Sequence, residues 1–126
     1  MPRISHGLFS GDSCIKSPEV IQDIKTLKTI KVNYLGASTL IGIFCEYYKI
    51  SQPKLIFNCK QNLNKYGHYY GKRKLIDIYY YGENASTVLH ELAHHITCER
   101  KLLVYHDNNF ASAYQEVINL YKKYIA

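Results

Sequence analysis

The run Ser86-Thr87-Val88-Leu89-His90-Glu91-Leu92-Ala93-His94-His95-Ile96-Thr97-Cys98-Glu99-Arg100 decides how the rest of the chain is read. Val88, Leu89, Leu92, Ala93 and Ile96 recur at the three- and four-residue spacing of an amphipathic helix. Asn84 or Ser86 stands where an N-cap belongs, and Arg100-Lys101 place cations at the C-terminal end, where the helix dipole favours them. The predicted element is a helix that fades near Lys101 or Leu102. Within it, His90-Glu91-Leu92-Ala93-His94 spells H-E-x-x-H. Residues four apart on a helix share a face, so both imidazoles can reach one cation with Glu91 beside the first of them. The chain's own His and Glu frequencies would produce this pattern by chance about one time in a hundred.

Zinc suits such a donor set. It takes imidazole nitrogen at about 2.0–2.1 Å, and catalytic zinc sites combine three protein ligands with an open position for water. Glu91 is then placed to polarise a zinc-bound water and take its proton.

Working outward, 126 residues allow one domain with one core. Residues 1–16 lack periodicity and read as an irregular arm, and 17–126 as the domain. Ser17-Pro18-Glu19 starts a helix whose face is Val20, Ile24 and Leu27, ending near Lys28. Ile30, Val32 and Tyr34 alternate, which suits a strand over 29–34, with extended coil as the alternative. Ser38 is placed to cap a buried helix over Leu40 to Tyr48, with Gly42 as its weak point. Leu55, Phe57 and Cys59 alternate as a strand after Pro53. Tyr66 to Tyr70 and Leu75 to Tyr81 then form a hairpin about the basic turn Gly71-Lys72-Arg73-Lys74, with Ile76, Ile78 and Tyr80 on one face and Asp77, Tyr79 and Tyr81 on the other. After the motif, Asp107 or Asn108 caps a last helix carrying Phe110, Ala113, Tyr114, Val117, Tyr121 and Tyr124 at helical spacing. The predicted class is α+β: a small three- to four-stranded sheet packed on the H-E-x-x-H helix, with N-terminal and C-terminal helices.

The net charge of +6 favours acidic partners such as nucleic acid, but the lysines and arginines are scattered, as on an ordinary solvated surface. The four cysteines, at 14, 45, 59 and 98, have no C-x-x-C spacing. Cys98, one turn beyond His94, reads as a small buried hydrophobe rather than a ligand. With no apolar leader and no run of membrane-spanning length, the expectation is an intracellular, reduced protein without a membrane segment.

A third zinc ligand is sought among His95, Glu99, His106, Asp107 and Glu116. His95 points about 100° away from His94 around the helix. Glu99 lies beyond one turn and needs the helix to bend. Glu116 is available on the last helix, within its apolar stripe. His106, immediately ahead of that helix, is placed where a turn brings it back to the metal, and it stands ahead of Glu116.

The order of elements over about residues 38–118 resembles the SprT-like zinc metalloproteases, which include Spartan. The resemblance rests on Leu40 to Tyr48, Pro53 to Phe57, Tyr66-Gly67-His68-Tyr69-Tyr70, Leu75 to Tyr81, His90 to His94, and His106 followed by Phe110. It implies a zincin-like fold, His90, His94 and His106 as zinc ligands, and Glu91 as catalytic acid/base. It also implies a cleft bordered by the edge strand Gly67 to Tyr70, with His68 or a tyrosine there near the reacting oxygen. The family pattern has Gly after its third His where Asp107 stands here, and the cysteine-rich ribbon of many members is not written in these residues.

The expected function is zinc-dependent endopeptidase cleavage of a protein or peptide substrate. The alternative is a catalytically weak zincin-fold binding or regulatory module, associated with nucleic acid in one version of it.

Overall fold

The computed structural model describes residues 15–59, 65–101 and 108–125. It is α+β, with four helices and a three-stranded mixed sheet among these residues. Of the arm expected over 1–16, residues 1–14 lie outside them.

Helix α1, Pro18–Leu27, starts as its sequence dictates: the Ser17 hydroxyl accepts from the Val20 amide at 3.4 Å, proline takes the first position, and Val20, Ile24 and Leu27 are buried. The strand expected over 29–34 does not form. Lys31 makes a single antiparallel bridge to Asn84, flanked by bonds from Val32 N to the Glu83 carbonyl and from Ala85 N to the Ile30 carbonyl. The alternation is cut short by Asn33, whose side chain accepts from the Gly36 amide at 2.8 Å and starts helix α2, Tyr34–Tyr48, well before Ser38. An asparagine oxygen, three bonds from its own Cα, competes well for a free amide nearby. Gly42 does not break α2, and the place where its Cβ would stand faces the Gln52 side chain. Lys49 ends the helix in the left-handed region.

The sheet has the order β1-β3-β2, where β1 is Lys54–Asn58, β2 Gly67–Tyr70 and β3 Leu75–Tyr79. β1 runs parallel to β3, and β2 antiparallel. The register pairs Leu55 and Tyr69 with Ile76, and Phe57 and Gly67 with Ile78, so these residues share the face that meets the helices. Ile56, His68, Asp77 and Tyr79 belong to the other face. The hairpin turn over 71–74 falls where expected, with Lys74 in the left-handed region at φ 50°.

The second hairpin strand is shorter than its sequence suggests. It ends at Tyr79, and Tyr80–Gly82 is a 3-10 turn with Tyr80 and Tyr81 exposed. The reason lies across the hairpin: Tyr79 N donates to the Tyr66 carbonyl at 2.9 Å, and a Cβ at Gly82 would collide with that same carbonyl group. The backbones meet there, and only glycine permits it.

Helix α3, Ala85–Glu99, is the centre of the molecule. It touches α1, α2, β2, β3 and α4, Asn108–Tyr124, and every residue from Ala85 to Thr97 is buried. Its N-cap is Asn84, whose side chain accepts from the Thr87 amide at 3.0 Å and the Thr87 hydroxyl at 3.2 Å. Asn84→Ala is expected to lower stability by about 1 kcal/mol, read as an earlier midpoint in urea with an unchanged slope. An unchanged midpoint would show that the Lys31–Asn84 bridge alone holds this end. No helix among the described residues is long and apolar enough to cross a membrane.

Candidate metal centre

His90, Glu91 and His94 project from adjoining turns of α3, and their ligand atoms all lie within 4.8 Å of one another. The three residues are 2%, 5% and 7% exposed. Helical spacing brings the two imidazoles together, with ring centroids 5.2 Å apart. Rings from the neighbouring elements hold them. Phe110 of α4 stacks on His94 at 4.3 Å and 26°, and also lies 4.9 Å from His90. Tyr114, one turn on, meets His90 at 5.3 Å, and its hydroxyl is 2.9 Å from the Ser86 hydroxyl. Tyr69 of β2 lies nearly parallel to His94, at 6.5 Å and 11°.

Burial, and after it the charge of Asp77, push the Glu91 carboxyl up to about 8, while Lys65 opposes the shift. β2 approaches α3 at this turn: a Cβ on Gly67 would stand 3.0 Å from Thr87 Cγ2 and 3.3 Å from Glu91 Cγ. A glycine inside a strand is a sequence sign of such an approach, although nothing local says which backbone or side chain it meets. Two imidazoles and a carboxylate gathered in a buried group fit a bound cation, since a neighbouring positive ion offsets the cost of burying the carboxylate. The cluster can hold a metal ion.

The other candidates are engaged elsewhere. His95 is fully buried with Nε2 2.7 Å from the Ser51 carbonyl oxygen and Nδ1 2.7 Å from the Tyr69 hydroxyl, and burial pushes its pKa down. Glu99 pairs with Lys74 at 3.1 Å. Glu116, half exposed, accepts from the Tyr48 hydroxyl at 2.5 Å and pairs with Arg100 at 3.5 Å. The Cys98 thiol, half-buried, accepts from Lys74 Nζ at 3.2 Å. His106 and Asp107 lie outside the described residues.

No family model, curated protein or solved structure matches the chain.

Of the side chains on β2, Tyr69 is turned toward the turn that carries His94, whereas His68 pairs in register with Asp77 and packs on Tyr70 at 4.4 Å on the other face. The sequence does not single out Tyr69, Gly67 or Lys65. Asp77 is a further surprise, only 9% exposed and with no hydrogen-bond partner for Oδ1 among the described residues.

Proposed function

We propose that the chain is a zinc-dependent endopeptidase, a minimal zincin of the SprT-like kind. The observation that supports this most is the buried convergence of His90, His94 and Glu91 on α3. Imidazole donors favour zinc over magnesium or calcium, which take oxygen ligands, and structural zinc sites are richer in cysteine. Zinc held there supplies a Lewis acid that polarises a carbonyl and makes water nucleophilic near neutral pH.

His90 and His94 hold the ion, and the family resemblance implies His106 as the third ligand. Glu91 accepts the proton of the attacking water and returns it to the leaving amine. β2 is an edge strand whose outer side pairs with no strand among the described residues. Its backbone passes Glu91 at Gly67, so an extended peptide added to β2 as a further strand runs past the carboxylate. Nucleic-acid contact has less support than peptide hydrolysis. Lys74, Arg100 and Lys122 are each paired with an acid of the chain itself, and the lysines and arginines are scattered along the sequence.

Purified protein should carry near-stoichiometric zinc and cleave an unfolded protein substrate in a manner abolished by a chelator. Zinc uptake without any turnover would favour the binding or regulatory module, and no zinc uptake would remove both readings. For the third ligand, His106→Ala is expected to weaken zinc binding by far more than Glu116→Ala, because Glu116 would have to leave both Tyr48 and Arg100 to reach the histidines. Metal release by Glu116→Ala alone would make this a glutamate-type zincin outside the SprT-like family.

A further inference from the structure

We propose that Tyr69 and His95 form a positioning pair that fixes the metal-binding turn of α3 against the strand bordering the cleft. The proposal rests on the metal-centre reading above and adds residues that the H-E-x-x-H pattern does not contain. His95 has no exposed surface, and both ring nitrogens are engaged at 2.7 Å. The partner of Nε2 is the Ser51 carbonyl oxygen, which can only accept, so Nε2 carries the hydrogen. In the neutral ring Nδ1 is then the acceptor, and the Tyr69 hydroxyl donates to it.

The bridge therefore runs from β2 through α3 to the segment joining α2 and β1. Its tyrosine does two things. The hydroxyl anchors the ring, and the anchored ring lies parallel to that of His94, the neighbour of His95 in sequence. The T-shaped contact of Tyr69 with His95, centroids 5.5 Å apart, completes the packing. Burying an imidazole and a phenol so that each satisfies the other is worth little in net stability, because both exchange good bonds to water. What the arrangement secures is geometry: the orientation of α3 about its own axis, and with it the direction of the His94 ring. Outer groups that orient metal ligands in this way change metal affinity about ten- to a hundred-fold when removed.

An ordinary core role for the pair would cost stability and leave the metal site alone, so the test reads the site directly. In the metal-free chain, imidazole ¹⁵N shifts should report His95 as the Nε2–H tautomer, and the Nδ1–H tautomer would overturn the proposal. Tyr69→Phe and His95→Gln should each weaken zinc binding, measured by chelator competition, about ten-fold or more. Each should also displace the visible bands of the cobalt-substituted protein. Ile118→Val, which trims a buried side chain of α4, serves as the stability control and should move neither readout. Unchanged affinity and bands in Tyr69→Phe, the variant that keeps the ring, would overturn the pair, as would the same change in Ile118→Val. A parent chain that binds no metal removes the metal centre and this proposal together, whereas unaltered variants of a zinc-binding parent remove the positioning pair alone.

Discussion

Glu91→Gln is expected to keep the fold and bound zinc while losing peptide hydrolysis by about 10²- to 10⁴-fold, the usual worth of a positioned proton-transfer group. The amide matches the carboxylate in shape, so the buried position beside Thr87 and Gly67 remains filled. It has no lone pair basic enough to take a proton from water, and none to give back to the leaving amine. In the metal-free chain stability should not fall. The wild-type carboxyl is 5% exposed and its ionised form is disfavoured by burial, so a neutral amide removes a cost rather than a support. Zinc content, the thermal midpoint and kcat/KM on an unfolded protein substrate, all from one preparation, separate the roles. Equal cleavage by variant and parent would end the zincin mechanism. Loss of zinc together with activity would make Glu91 a ligand instead of a base.

The part of this site that is legible in the sequence is the part built from local geometry. His90, Glu91 and His94 need only a helix to converge, and the apolar stripe and Asn84 cap announce that helix without any tertiary information. Ser17 and Pro18 announce α1 in the same way. What escapes is set by contacts distant in sequence. Tyr69 is one of thirteen tyrosines, and its role depends on strand register: pairing with Ile76 turns it to the helices, and a slip of one residue would have sent His68 there instead. The end of β3 depends on Gly82 meeting the Tyr66 carbonyl. Asp77 shows a different limit. Alternation correctly places it opposite Ile76 and Ile78, but alternation gives a face and not its exposure, and this carboxylate is buried where a solvated one is the ordinary expectation. At Asn33 two local signals compete, the strand-like alternation around it and the capping oxygen of its own side chain, and the cap prevails.

Phe110→Ala is expected to have the largest effect on stability, a loss of about 3–5 kcal/mol. Phe110 is fully buried and contacts both His90 and His94, so its removal opens a cavity between α3 and α4, the most extensive helix contact among the described residues. For a domain of this size the thermal midpoint should drop by about 10–20 °C. Metal binding should weaken as well, because the imidazoles lose the ring that restricts their rotation, and a freer ligand loses more entropy when it is fixed on an ion. Phe110→Leu separates the two consequences. It preserves most of the buried volume, so stability should fall by less than about 2 kcal/mol, while the flat surface against His94 is gone. If the aromatic ring orients the ligand, Phe110→Leu weakens zinc binding in a chain that still melts near the parent. If Phe110 only fills space, Phe110→Leu binds zinc as the parent does and Phe110→Ala loses affinity only in step with its stability. A melt and a zinc competition titration on the two variants decide between these, and the second outcome would remove the ring packing of α4 from the account of the metal centre.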